Sequence, residues 1–325
     1  MVIMKRLLPV LLAAIILLFP AAALGEPIHA GFSDTANHPA SRDIELVANL
    51  GIMVGTGTDV NGTAVFEPSA VVSKAQLAVV LQRTFQLDYD LIRFIKQPVA
   101  SDYYRDVPNE SWYAEAAVMC AINNIFPSGG NFEPDEAVSR LDVAQALHRS
   151  FQAKHISIPM IMLMPAFEDT DALTQEEMNA VVFVNNTGIM PGESGFFSPG
   201  MGVQRSKLAQ VLGRCVYLMA LGENDSGQEY QVPSGNTFII ALPSNPTTGY
   251  SWTLQNPGDG NIVTPLTDFY LAESSGEAMI VGQGGKHYWQ FKALQPGSTK
   301  LELVYARTWE SVAPLSVFTL PITVR

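Results

Sequence analysis

Three short stretches in the last third of the sequence suit gripping another protein better than transforming a small molecule. Asn245-Pro246-Thr247-Thr248-Gly249-Tyr250 is a tight turn in which proline fixes one backbone angle, glycine frees another and two hydroxyls sit at the tip. Gly282-Gln283-Gly284-Gly285 exposes backbone without side chains, so a second chain can approach closely and take main-chain hydrogen bonds. Arg307-Thr308-Trp309-Glu310 sets a cation beside an aromatic ring, residue types in which binding energy concentrates. A fourth group lies upstream: Lys74, Arg140 and Arg205, each six positions beyond a proline, Pro68, Pro134 and Pro199. In the first turn of a helix these cations would stand beside backbone N–H donors and suit an anionic sugar substituent; as ordinary solvated helix charges they would bind nothing. Bond-breaking chemistry has no comparable support. The sequence lacks His-Glu-x-x-His, Gly-x-Ser-x-Gly, Cys-x-x-Cys and a phosphate loop, and its five histidines are too scattered for a metal cluster. No catalytic residue, metal or cofactor is expected.

The elements that must position these residues change period along the chain. In the C-terminal part apolar positions alternate over 237–242, 287–294 and 301–305, and strands are also expected at 251–254, 268–273 and 317–324. Six or seven short strands separated by Gly/Pro/Asn turns predict an immunoglobulin-like antiparallel β-sandwich over 230–325, with the loops at its ends. The polar, Gly-punctuated stretch 222–229 reads as a linker.

Upstream of it, residues 32–216 repeat three times, at about 32–85, 104–151 and 167–216. Each copy opens on aromatic-x-Asp (Phe32-Ser33-Asp34, Tyr104-Arg105-Asp106, Phe167-Glu168-Asp169) and runs into a helix-forming stretch such as 42–50 or 112–123. That helix is expected to stop at Gly51, Asn124 or Gly188, residues that tolerate a left-handed cap. Phe-x-Pro follows, at Phe66, Phe132 and Phe197. Beyond Lys74, Arg140 and Arg205, apolar residues recur at helical spacing, as in Leu77, Val80, Leu81 and Phe85. Helix pairs this small cannot bury their stripes alone, so one α-helical domain over 26–221 is expected. Residues 86–101 have no counterpart in the other copies and read as a helical extension plus connector. His148 falls off the stripe as a surface residue. Cys120 and Cys215 sit among apolar neighbours, as small buried side chains or, alternatively, as a disulfide between copies.

Two resemblances follow from these motifs. The three C-terminal stretches, in this order and with Trp252 after the first, resemble the chagasin family of protease inhibitors, whose motifs are Asn-Pro-Thr-Thr-Gly-(Tyr/Phe), Gly-x-Gly-Gly and Arg-Pro-(Trp/Phe). The resemblance covers about 230–325 and implies a non-enzymatic wedge against a papain-family cysteine protease. Asn245, Pro246, Thr247, Thr248, Gly249 and Tyr250 would enter the cleft over its Cys-His pair, with Gly282, Gly284 and Gly285 on one side and Arg307 and Trp309 on the other. Thr308 stands where the family has proline. The repeats resemble the surface-layer homology (SLH) repeats that attach exported bacterial proteins to the cell wall, which implies that Lys74, Arg140 and Arg205 hold an anionic secondary cell-wall polysaccharide. The family tetrad Thr-Arg-Ala-Glu is here Ser73-Lys74-Ala75-Gln76, Ser139-Arg140-Leu141-Asp142 and Gln204-Arg205-Ser206-Lys207, so the basic position recurs three times and the acid once. The competing reading is a structural or adhesive wall-binding protein whose sandwich does not inhibit.

Composition agrees with a two-part exported protein. At 325 residues and 47% hydrophobic, the chain exceeds one domain and has the apolar residues for real cores. Nineteen Lys+Arg against 31 Asp+Glu give a net charge of -12, which repels phosphate backbones and argues against nucleic acid as a partner. Lys5-Arg6 followed by an apolar run over 7–23 predicts a secretory signal peptide, 1–25, or else an uncleaved anchor. The expected location is extracellular, attached to the cell wall or S-layer.

Overall fold

The computed structural model describes residues 31–89, 96–161, 163–273, 284–310 and 312–325. The expected signal peptide, 1–25, and Gly282 lie outside these residues.

Among the described residues six α-helices come first: α1 (Ser41–Asn49), α2 (Lys74–Phe85), α3 (Ala114–Ile122), α4 (Arg140–Ala153), α5 (Gln175–Asn186) and α6 (Arg205–Met219), with a small hairpin of β1 (Gly57–Thr58) and β2 (Ala64–Val65) between α1 and α2. Ser73, Ser139 and Thr174 start α2, α4 and α5 through capping boxes with Gln76, Asp142 and Glu177. Gly51, Asn124 and Gly188, at φ 68°, 56° and 73°, follow α1, α3 and α5 as expected.

The aromatic-x-Asp and Phe-x-Pro motifs recur together because they bond to each other. Asp34 accepts the N–H groups of Phe66 and Glu67, Asp106 those of Phe132 and Glu133, and Asp169 those of Phe197 and Ser198, all at 2.6–3.0 Å. These carboxylates stabilise the left-handed backbone of Glu67, Glu133 and Ser198, at φ 55°, 58° and 58°. Helix α2 packs on α3, α4 on α5, and α6 back on α1, so the three helix pairs close into a ring around one continuous apolar core. Three valines two residues ahead of α2, α4 and α6 form a cycle of backbone bonds. Val72 N–H donates to Val203, Val203 to Val138 and Val138 to Val72, at 2.9–3.0 Å.

Among the described residues seven strands follow. A four-stranded sheet has the order β3 (Tyr230–Val232), β9 (Ser316–Val324), β8 (Gly297–Ala306), β5 (Ser251–Asn256); a three-stranded sheet has the order β4 (Thr237–Ser244), β7 (Gly285–Ala293), β6 (Val263–Ala272). Phe238, Trp289 and Phe291 of one sheet and Leu303, Phe318 and Leu320 of the other belong to a common core.

Several expectations are corrected. Pairing is antiparallel except that β3 runs parallel to β9, because the chain enters along that edge and leaves it at Pro233 for the other sheet. Strand β6 starts at Val263, ahead of the expected 268, and a register shift between Pro265 and Thr267 breaks the alternation that would have revealed it. Among the described residues no helical extension continues α2: Gln86 is left-handed, φ 49°, and ends the helix, and residues 90–95 lie outside those described. The stretch taken for a linker is bonded down. Leu221 donates to Ile239 and accepts from Ala241, Glu223–Asp225 form a helical turn capped by Gly222, and Gly227 N–H reaches Thr319 O at 2.7 Å. His148 is half-buried, its ring 5.1 Å from that of Phe183. Cys120 and Cys215 are buried free thiols.

Candidate functional site

The first loop joins β4 to β5 and is largely self-supporting. Pro246–Thr248 form one 3-10 turn ended by Gly249 at φ 83°, Thr247 Oγ1 donates to Asn245 Oδ1 and Thr248 Oγ1 to Asn245 O, each at 2.6 Å. Pro246, Thr247 and Thr248 are exposed at its tip. Tyr305, on the neighbouring strand β8, accepts the Asn245 N–H at 2.9 Å, and Trp252 Nε1 donates to Pro243 O at 2.8 Å beneath.

The third loop is built onto the first. Arg307 donates through Nε and Nη2 to Thr248 O at 3.3 and 3.1 Å, and through Nη1 to Glu310 at 2.8 Å. Its guanidinium lies 4.6 Å from the Tyr250 ring centroid. Trp309 is 69% exposed, yet its ring edge rests on Gly249, where a Cβ would come within 2.8 Å of it. Gly249 therefore serves both the turn and the close approach of the tryptophan. Asn245, Pro246, Thr247, Thr248, Gly249, Tyr250, Arg307 and Trp309 thus form one connected projection.

The second loop departs from the expectation of open backbone. Gly284 lies beside Ser244 and Asn245, but Gly285 is a buried residue of β7, paired with Ser244 on one side and Ala272 on the other. A Cβ there would stand 2.1 Å from Leu271 O. Its missing side chain is required by the protein's own sheet.

The cations of the helical ring also differ from a row of open helix starts. Each reaches into the next copy's Phe-x-Pro loop: Lys74 lies 5.6 Å from the Phe132 ring centroid, Arg140 4.9 Å from Phe197 and Arg205 4.4 Å from Phe66. Arg205 is 6% exposed and donates to Phe66 O at 2.7 Å and Val54 O at 2.8 Å; Arg140 donates likewise to Phe197 O and Pro191 O. Burial lowers the pKa of both guanidinium groups from the usual arginine value. The helix-start amides are also taken. Lys74 and Ala75 N–H donate to Glu136 and Pro134, Arg140 and Leu141 to Met201 and Pro199, Arg205 and Ser206 to Ala70 and Pro68.

Open surface lies alongside, in grooves between copies. One is lined by Lys74, Glu136, Asp142, Gln145 and Arg149, another by Arg140, Glu193, Lys207, Gln210 and Arg214. Arg83, Arg149 and Arg214 are residues the motif reading passed over. Each stands nine positions after the cation of its helix and donates to a turn carbonyl, Ile52, Ile125 and Ile189. The threefold recurrence of arginine at one offset is the sequence signal that would have found them.

Comparison with known proteins matches both parts. A model described as "Chagasin family peptidase inhibitor I42" matches residues 231–324, and one described as "S-layer homology domain" matches residues 31–78. Amoebiasin-1 of Entamoeba histolytica is 34% identical over 108 residues, 33% of this chain and 100% of the relative. The chain belongs to the chagasin family of peptidase inhibitors. Chagasin of Trypanosoma cruzi is 28% identical to it over 87 residues, 26% of this chain and 76% of the relative. The crystal structure of the cysteine protease inhibitor EhICP2 from Entamoeba histolytica aligns with 28% identity and a TM-score of 0.30, covering 33% of this chain and 94% of the other. Helices thus precede a β-domain of the chagasin family, and the matched relatives are inhibitors rather than enzymes. Among the described residues no helix is long and apolar enough to cross a membrane.

Proposed function

We propose that this chain is an exported, surface-attached inhibitor of papain-type cysteine proteases. Residues 230–325 form the inhibitory sandwich, and Asn245–Tyr250 enter the protease cleft over its Cys-His pair, flanked by Gly284–Gly285 and by Arg307 with Trp309. The observation that carries this reading is the cross-linking of the first and third loops, Arg307 to Thr248 O and Trp309 onto Gly249. A projection already held in one conformation loses little freedom on docking. The protease supplies the nucleophile, and the tip offers it no electrophile beyond ordinary peptide carbonyls held in a 3-10 turn, so inhibition is by occlusion.

The three copies at 32–85, 104–151 and 167–216 act as S-layer homology repeats that hold the protein on an anionic wall polysaccharide. Lys74, Arg140 and Arg205 shape the inter-copy grooves by fixing their loops, and the polymer's acidic groups lie along Lys74 with Arg149 and along Arg140 with Lys207 and Arg214. The signal peptide 1–25 directs export. A co-sedimentation assay tests both halves together: papain with its catalytic cysteine free should pellet with purified bacterial wall fragments only when this protein is added. Protein that pellets without retaining papain would support a purely adhesive role. Papain inhibition without pelleting would refute the anchoring half.

A further inference from the structure

The outer face of the three-stranded sheet is covered. Ala241 of β4, Phe269 and Leu271 of β6 and Tyr288 of β7 belong to the apolar core of the helical ring, not to that of the two sheets. The Lys286 ammonium lies 3.9 Å from the ring centroid of Tyr217 on α6, and α1 packs against β6. At the other end of the sheet Gln86 clamps one residue of β4: its Nε2 donates to Thr237 O at 2.7 Å and its Oε1 accepts the Thr237 N–H. Between them Leu221 bonds to Ile239 and Ala241. These strands are the ones that deliver the loops. Strand β4 runs directly into Asn245, and Lys286, under Tyr217, follows Gly285 immediately.

We propose that the helical ring is a positioning part of the inhibitor, α1 and α6 holding the β6–β7 strand ends so that Gly284 and Gly285 are already set beside the first loop. This role rests on the inhibitory reading above. The apolar contacts account for it physically: an isolated three-stranded sheet would expose Phe269, Leu271 and Tyr288 on its outer face, and its β6–β7 ends would lose the packing that orders them before docking. The ring and the inhibitor then move as one unit, and the direction in which the loops face is fixed by how the ring sits on its support.

The test uses the chain from residue 26 with three variants: Tyr217→Ala, Tyr217→Phe, and Tyr217→Ala combined with Gln86→Asn. Asparagine tolerates the left-handed backbone at 86 while withdrawing the clamp. Each protein is measured for its inhibition constant against papain and for amide hydrogen exchange at Leu271 and Lys286–Tyr288. Tyr217→Phe, which keeps the ring against Lys286, should match the parent. Tyr217→Ala should weaken inhibition roughly two- to tenfold and speed exchange at those amides, the double variant more so. Unchanged inhibition by the double variant overturns the positioning role, whether or not exchange rises. Weaker inhibition with unchanged exchange overturns it too, since the effect would not pass through these strand ends. A parent that fails to inhibit papain overturns the inhibitory reading itself, and this role with it.

Discussion

Thr308 stands where the chagasin family has proline, and the structure provides a place for that proline. Glu310 N–H donates to Arg307 O at 3.1 Å, so Thr308 is the second residue of a four-residue turn, the position at which proline's fixed φ is most at home. Thr308 is exposed, does not have positive φ, and donates no hydrogen bond from its N–H. The contacts that tie this loop to the first belong to Arg307 and Trp309 and are untouched by a ring at 308. Thr308→Pro therefore removes nothing and restricts the unfolded and undocked loop, an effect of about 0.4–1 kcal/mol. Expressed in binding, that is a gain of roughly two- to fivefold in affinity, seen mainly as slower dissociation. Paired inhibition constants against one papain-type protease, with thermal midpoints of both proteins, provide the assay. A variant that binds more weakly, or unfolds at lower temperature, would refute the reasoning, because Arg307 would then hold a helical backbone that a following proline cannot accept.

Replacing the three cations should destabilise the ring unequally. Arg205→Met withdraws the donor from the buried Phe66 carbonyl and from the part-buried Val54 carbonyl and should cost about 1–3 kcal/mol, whereas Lys74→Met, which loses a 4.0 Å contact to the exposed Glu136, should cost under about 1 kcal/mol by denaturant titration. Gly285→Ala should cost about 1–3 kcal/mol of stability with no protease present, as its Cβ meets Leu271 O; a variant as stable as the parent but inhibiting poorly would show that the missing side chain serves the protease contact rather than the sheet. The hydrogen bond from His287 at 2.9 Å holds the Asp268 carboxyl below its ordinary value, with burial opposing it. A folded pKa below the unfolded one contributes stability above about pH 4 that is lost as pH falls further, so Asp268→Asn should flatten the acid limb of a stability–pH curve.

Local signals reported what is local. The helix starts, the left-handed stops and the three loop motifs were legible because a capping serine, a glycine or a proline acts within a few residues of itself. Where a side chain's meaning depends on a distant partner, residue type misled. Arg140 and Arg205 read as exposed charges at helix starts, yet the next copy's aromatic ring and carbonyl groups bury Arg205 and half-bury Arg140. Gly285 read as open backbone because nothing near it in sequence announces Leu271 O across the sheet. The 222–229 stretch has a linker's composition, but the Gly227 amide and the neighbouring Leu221 find partners more than ten residues away, at Thr319 and at Ile239 and Ala241. Tyr305 was missed as a support of Asn245 for the same reason: a strand tyrosine is unremarked until the loop it holds is placed beside it.

The most direct measurement is the steady-state kinetics of papain with increasing amounts of the chain from residue 26, followed by recovery of the inhibitor from the mixture. Occlusion by the joined loops predicts reversible competitive inhibition, a rise in apparent KM at constant kcat, with the inhibitor recovered uncut. Full protease activity at micromolar concentrations of folded protein, or cleavage within residues 245–250, would contradict it.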